Sequence, residues 1–146
     1  MGNRQEKVVE AQAFILRDAD GNISARLGTQ PGEGPFLVLF GAGEPRLVLA
    51  IDHNGPRAML ANRQGKPVAV LECSDGSACF RIRAEQSNSL VEVSVTDSGP
   101  EVSLWDRNGK YMVAVRATAV GPEVSTTFAP ESKAGPEMPS LSRFIQ

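Results

Sequence analysis

The sequence predicts an all-β protein made of sequential antiparallel β-hairpins, and three observations support this fold class. Glycines recur in two interleaved series, each with steps of 21 to 23 residues. Apolar and polar residues alternate between many of these glycines, as they do in a strand with one wet face. Proline follows most glycines of one series, where it fits the start of a strand without interrupting the ladder. Together these features predict about ten strands.

The two glycine series mark two kinds of turn, which we call outer and inner turns. The outer turns contain Gly34, Gly55, Gly76, Gly99 and Gly121, and proline follows all of these except Gly76. The inner turns contain Gly21, Gly43, Gly65, Asn88 and Gly109. Asparagine fits the series because it enters the left-handed conformation more readily than most residues. Two turns in each period imply two strands in each period, which is a β-hairpin repeat.

The turns then define the strands in order along the chain. The predicted pairs cover residues 11–17 and 23–27, 36–40 and 46–51, 57–61 and 68–73, 78–83 and 90–96, and 101–105 and 111–118. A sixth repeat begins at Glu123, and we expect it to fail because Pro122, Pro130, Pro136 and Pro139 disfavour a sheet. The predicted organisation is a hairpin-repeat domain over residues 1–121 and a proline-rich, mostly irregular tail over 122–146.

The strands are of two kinds, and the difference predicts an assembly. Residues 90–96 alternate between apolar and polar, whereas residues 36–40 and 47–51 are apolar on both faces. Exposing Phe36, Leu39 and Phe40 together would create an aggregation-prone patch. The second face of these strands therefore has to be covered by the tail, a second sheet or another subunit. We expect a homo-oligomer, with a trimeric β-prism as the first choice and a self-contained sandwich or barrel as the alternative.

Composition excludes several classes of partner. Lys and Arg total 15 and Asp and Glu total 17, so the net charge of −2 gives no general attraction to nucleic acid or to an acidic membrane. No apolar run is long enough to span a membrane. Residues 1–10 lack the apolar stretch of a secretory signal. The expected location is the cytoplasm, or a phage or other particle that leaves the cell without a signal.

Residues that often perform chemistry occur here without the spacing that chemistry needs. His53 is the only histidine, and nothing in the sequence marks a serine or cysteine that would join it. Cys73 and Cys79 do not have the spacing of a metal site. A two-residue loop between them would place them on opposite faces, and a three-residue loop would place them opposite each other. The turn at residues 18–22 resembles the start of a calcium loop but lacks its bidentate glutamate. We therefore predict no catalytic residue, cofactor or metal.

A few side chains are candidates for contact with a ligand or another subunit. Arg81 and Arg83 share one face of a predicted strand, but acidic residues interrupt this basic strip. Trp105 lies off the face that holds Val102 and Leu104, which suits an interface anchor. Tyr111 begins the next strand. The candidate ligand or interface residues are Phe36, Leu39, Phe40, Arg81, Arg83, Trp105 and Tyr111.

The repeat follows the template Gly-Pro-x-x-x-Leu-x-Asp-x-x-Gly-Lys-x-x-x-x-Val. Residues 99–115 match it best and residues 55–70 match it fairly. The template resembles short β-hairpin repeats of uncharacterised bacterial and phage proteins, over about 110 residues. This resemblance implies a β-rich, oligomeric scaffold and brings no catalytic residues.

We therefore expect a non-enzymatic structural or interaction module, which associates with itself, and another protein is the second candidate partner. The alternative is a protein that binds a small ligand or carbohydrate, on a concave face with Trp105 and Tyr111. A third class is an enzyme with its site between subunits, using His53, Asp52 or the Arg81 and Arg83 pair.

Overall fold

A computed structural model of the chain describes residues 9–87, 89–108 and 110–128, together with Met138, Pro139 and Leu141. This part of the chain contains strands and no helix, which confirms the all-β fold class. The strands are β1 (Ala13–Arg17), β2 (Ile23–Gln30), β3 (Gly34–Gly41), β4 (Glu44–Asp52), β5 (Gly55–Ala61), β6 (Pro67–Ser74), β7 (Ser77–Arg83), β8 (Leu90–Thr96), β9 (Gly99–Trp105), β10 (Tyr111–Thr118) and β11 (Gly121–Phe128).

All eleven strands form one sheet in which the spatial order of the strands is their order in the sequence. Each strand pairs antiparallel with the next, so the predicted sequential hairpins are confirmed. The sheet does not close into a barrel, and β1 and β11 are its two edges. Because neighbouring strands lie about 4.8 Å apart, the sheet is about 48 Å long in the direction of its hydrogen bonds.

The main correction to the expected fold is β11, which occupies Gly121–Phe128 in the region where we expected an irregular tail. It pairs with β10 along its whole length, from Gly121 opposite Thr118 to Phe128 opposite Tyr111. Pro122 does not break this pairing, because its missing N–H would point away from β10. The rest of the expected tail lies outside the described residues, apart from Met138, Pro139 and Leu141.

The outer turns require glycine for two reasons. Gly34, Gly55 and Gly99 have φ angles of +124°, +115° and +112°, which disfavour residues with a side chain. A Cβ at any of these positions would also collide with a backbone carbonyl oxygen of the following strand, as a Cβ at Gly55 would with the carbonyl of Cys73 on β6. The glycine series thus allows each strand to lie against its neighbour.

Three of the inner turns are closed by a side chain at their first residue. The Oδ1 atoms of Asp18, Asn62 and Asp106 each accept a hydrogen bond from the amide four residues ahead, at 2.7–2.9 Å. In Asp18, hydrogen bonds from the Asn22 side chain and from nearby amides hold the pKa of the carboxyl below its ordinary value. These oxygens already have partners, which supports a turn at residues 18–22 over a calcium loop. Asn88 and Gly109 lie outside the described residues.

The hydrophobic core lies on one face of the sheet, at β3 to β6. We call this the mixed face because it also carries polar and charged side chains. Phe36, Val38, Val48, Met59 and Val70 are each at most 5% exposed there. Leu141 is buried in the same cluster and Met138 packs against it. We call the described residues Met138, Pro139 and Leu141 the C-terminal segment. Its Met138 and Leu141 cover part of the mixed face of β3 and β4, the strands that the sequence showed to be apolar on both sides.

Candidate interaction surface

The opposite face of the sheet is apolar on every strand, and its central row shows how this arises. Strand register places one residue from each strand in line, from Phe14 on β1 to Val124 on β11. The row consists of Phe14, Leu27, Leu37, Leu49, Ala58, Leu71, Phe80, Val93, Val102, Val115 and Val124. Cross-strand neighbours in such a row lie about 5 Å apart, so their side chains form a continuous strip.

A second row runs parallel to the first on the same face and is apolar except at its last position. It consists of Leu16, Ala25, Leu39, Leu47, Leu60, Ala69, Ile82, Val91, Leu104, Val113 and Thr126. A third row lies near the outer turns, where Ile51 pairs with Pro56, Cys73 with Ala78, and Val95 with Pro100. We call these three rows the apolar face. No charged side chain occupies any of the positions named in them.

The apolar face is accessible to solvent in the described chain. Leu49 is 43% exposed, Leu71 46%, Ile82 46%, Val93 43% and Leu104 49%. A shallow depression of about 310 Å³ lies on it between Leu27, Leu37 and Leu49. A strand of seven paired residues spans about 20 Å, so the face measures about 48 by 20 Å, or roughly 1,000 Å². That exceeds the largest apolar patch of a typical monomer, about 300–600 Å².

The mixed face of β4 to β8 presents a ladder of alternating charges. Asp52 and Arg57 form an ion pair at 2.9 Å, and their side chains are 1% and 8% exposed. Arg81 contacts Glu72 at 3.0 Å and Glu92 at 2.6 Å. Opposite charges on neighbouring strands stabilise the sheet. This ladder distinguishes the two faces, because ion pairs occur on the mixed face and not among the rows of the apolar face.

The environment of this ladder raises the pKa of two groups. For the Cys79 thiol, burial together with the nearby Glu92 carboxylate raises the pKa to about 11, so the thiol is protonated at neutral pH. For Arg81, burial lowers the pKa, but the hydrogen bond to Glu92 and the nearby negative charges of Glu92 and Glu72 together outweigh it, and the net shift is upward. Neither group is activated for nucleophilic or acid–base chemistry near neutral pH.

Alternation separates the three residues that we expected to form one apolar patch. Phe36 is buried and Phe40 half-buried on the mixed face, where both contact the core cluster. Leu39 is 40% exposed on the apolar face. The two faces of β3 are therefore covered differently: the C-terminal segment lies over one, and no described residue lies over the other.

The remaining candidate residues divide between the faces in the same way. Arg81 and Arg83 share the mixed face, as their spacing predicted, and Arg81 is paired with acidic partners. Trp105 also lies on the mixed face, opposite Leu90 and Met112 in register. Tyr111 precedes Met112, so it belongs to the other face and is 57% exposed. Trp105 and Tyr111 do not line a common surface.

The other chemical candidates are dispersed or already paired. The loop between β6 and β7 has two residues, with Cys73 opposite Ala78, so Cys73 and Cys79 lie on opposite faces as free thiols. His53 is in an exposed turn, where its ring contacts the Asn54 amide at 3.0 Å. Among the described residues, no three His, Cys, Asp or Glu side chains are grouped so as to hold a metal ion. Nor does any described residue belong to a helix long and apolar enough to cross a membrane.

Sequence reasoning missed the apolar face as a whole, although its parts were visible. The alternation in residues 90–96 identified one apolar side of one strand, but it did not show that all strands put this side in the same direction. That follows from the register, of which the two-residue outer loops after β4, β6, β8 and β10 set only four strand pairs. In comparisons with known proteins, no protein-family model matches this chain, and no curated protein matches it.

Proposed function

We propose that this chain is a non-enzymatic structural module that assembles with copies of itself through the apolar face. The observation that carries this proposal is a face of about 1,000 Å² with three apolar rows and no charged side chain among them. Burying it would stabilise the folded chain through the hydrophobic effect, whereas leaving it in water would favour aggregation.

A second copy of the chain fits this face better than an unrelated partner. Stable interfaces bury about 800 Å² on each partner, and those of permanent homo-oligomers are more apolar than the rest of the protein surface. A face with neither charges nor hydrogen-bonding side chains in its centre offers little to select a polar partner. An identical apolar sheet offers the same size, shape and lack of charge.

The width of the face supports a trimer in which three sheets form the sides of a prism. If each side is about 20 Å wide, the centre of the prism lies about 6 Å from each sheet. This distance is close to half of the 10 Å spacing between packed sheets, so side chains such as Leu71, Phe80 and Val93 would fill the interior. The mixed face, with its ion pairs, would lie outside towards water. The repeat resembles those of bacterial and phage proteins, and this resemblance favours a structural part of a phage or other particle.

Two substitutions on neighbouring residues of β8 test this proposal. Val93→Lys places a charge in the centre of the apolar face, and Ser94→Lys places the same charge on the mixed face. Light scattering on a sizing column measures the mass of each variant. We expect a closed oligomer, with a trimer as its unit, for the wild type and for Ser94→Lys. We expect dissociation or aggregation for Val93→Lys, because a buried unpaired charge is strongly unfavourable.

A wild-type protein that is monomeric at every concentration would contradict the proposal. So would a Val93→Lys variant that keeps the wild-type mass, since the oligomer would then form through another surface. Far-ultraviolet circular dichroism of both variants separates loss of assembly from loss of the fold.

A further inference from the structure

The edge strand β11 supports an inference that goes beyond the apolar face and rests on the proposed assembly. No described residue pairs with the outer side of β11. Sheet edges recruit other strands unless they are short, bulged or charged. The opposite edge, β1, is short and has a bulge between Leu16 and Arg17. By contrast β11 has eight residues, a regular register and one charged side chain, Glu123.

Hairpin geometry identifies the backbone groups on the outer side of β11. The loop before it has two residues, so Thr118 and Gly121 form a hydrogen-bonded pair and such pairs recur at every second residue. The residues between them, Val124, Thr126 and Phe128, therefore direct their N–H and C=O groups outward. Pro122 directs only its carbonyl outward, because it has no N–H.

Gly121 shows that the repeat is already shaped for another strand at this position. Its φ angle is +131°, close to those of Gly34, Gly55 and Gly99. Each of those three glycines lies against a backbone carbonyl of the following strand, whereas no described atom lies within 4 Å of a Cβ at Gly121. The same backbone conformation thus recurs at the edge without the strand that it accommodates elsewhere.

We propose that β11 pairs antiparallel with β11 of a second copy, across a two-fold axis at Ser125. In this register Val124 lies opposite Thr126 of the second copy, and the amides of Val124, Thr126 and Phe128 all find carbonyl acceptors. The carbonyl of Phe128 in the second copy meets Gly121, which repeats the contact made at Gly34, Gly55 and Gly99. Glu123 lies opposite Thr127 of the second copy, so the two Glu123 side chains are not neighbours.

Two further features fit this register. Val124 and Thr126 belong to the apolar face, so the pairing continues that face from one copy to the next. The Ser125 hydroxyl is enclosed but has no hydrogen-bond partner among the described residues, and the Ser125 hydroxyl of the second copy would supply one. If three apolar faces form a prism, the β11 strands lie at one end of it. The pairing would then join two trimers end to end as a hexamer.

Cross-linking tests the register, in a background in which Cys73→Ala and Cys79→Ala remove the native thiols. Ser125→Cys places two cysteines opposite each other as a non-hydrogen-bonded pair, whose Cα atoms lie about 4.5 Å apart, within disulfide range. We expect a disulfide-linked dimer on mild oxidation. Thr127→Cys is the matched control, because the two Thr127 residues would be about 13 Å apart and would not be linked. Equal cross-linking of both variants, or of neither, would overturn the register.

Solution mass is a second test of the pairing. Val124→Pro removes an outward N–H without removing a bond to β10, and we expect it to halve the wild-type mass. If the wild type is a trimer and Val124→Pro is also a trimer, the edge pairing is wrong and the apolar-face assembly stands. If Val124→Pro reduces a wild-type dimer to monomers, and Val93→Lys changes nothing, the edge pairing stands and the apolar-face assembly is wrong.

Discussion

Glycine has two different roles in the turns of this protein, and they separate at the level of single residues. Gly55 has a φ angle of +115° and lies against the carbonyl oxygen of Cys73 on β6. Gly43, in the inner turn between β3 and β4, has a φ angle of +82°, and no described atom lies within 4 Å of a Cβ built there. Gly55 is therefore required both by its backbone conformation and by the lack of space for a side chain. Gly43 is required by its backbone conformation alone.

Alanine substitutions should distinguish these two roles. Gly43→Ala is expected to cost about 1 kcal/mol, the cost of holding a non-glycine residue at positive φ. Gly55→Ala is expected to cost about 3 kcal/mol or more, because the new methyl group also forces β5 and β6 apart. Chemical denaturation of both variants at one protein concentration measures the difference in the free energy of unfolding. Equal costs would show that close approach of the strands does not limit Gly55.

The sequence predicted these turn positions because turn chemistry is local. A glycine, or an aspartate with a glycine three residues later, specifies a turn without reference to distant residues. The ion pair of Asp52 and Arg57 was not predictable in this way. Its partners are separated by an outer turn, and their burial depends on which side of β4 and β5 meets the core.

At the level of elements, ten strands were predicted close to their observed positions, and the eleventh was missed. Strands β3, β5 and β9 begin two residues earlier than predicted, because Gly and Pro of the outer turns belong to the strands that follow them. The eleventh was missed because Pro122 was grouped with the later prolines, which together disfavour a sheet. Pro122 is the second residue of β11, as Pro35, Pro56 and Pro100 are the second residues of β3, β5 and β9.

The C-terminal segment is expected to stabilise the sheet although it is not a strand. Leu141 is 5% exposed and packs with Phe36, Val38 and Met59 on the mixed face. Leu141→Ala should therefore lower the free energy of unfolding by about 2–3 kcal/mol. Val120→Ala, at a position that is 99% exposed, should change it by less than about 0.5 kcal/mol.

Denaturation of the two variants at equal protein concentration provides this comparison. If Leu141→Ala unfolds at the same denaturant concentration as Val120→Ala, the segment does not contribute to the stability of the core. Any new exposure of the core cluster would also appear as increased binding of a hydrophobic dye.

For the whole molecule, the main fact is a single sheet with two unequal faces. Sequence patterns predicted that some strands need cover on both sides, and the structure shows that the C-terminal segment covers one of these sides. It also shows that strands which alternate, such as β8, and strands which do not, such as β3, contribute to the same apolar face. That common direction could not be deduced strand by strand, since a shift of one residue in register would reverse it.

Thermal unfolding tests the proposed assembly at the scale of the whole molecule. If folding is coupled to burial of the apolar face, the unfolding midpoint will rise with protein concentration, because only the folded chain associates. Differential scanning calorimetry over a hundredfold range of concentration provides the measurement. The midpoint of a monomeric protein would stay constant over that range.

The sequential pairing of the sheet has a consequence for how such a protein can change its length. Every strand contacts only its neighbours in the chain, so the sheet behaves as a linear array of repeats rather than as a closed unit. Duplicating one hairpin would lengthen the sheet by about 9.6 Å without altering any other contact, and deleting one would shorten it equally. The gene would thus act as a ruler, in which the number of repeats sets a physical dimension in steps of two strands.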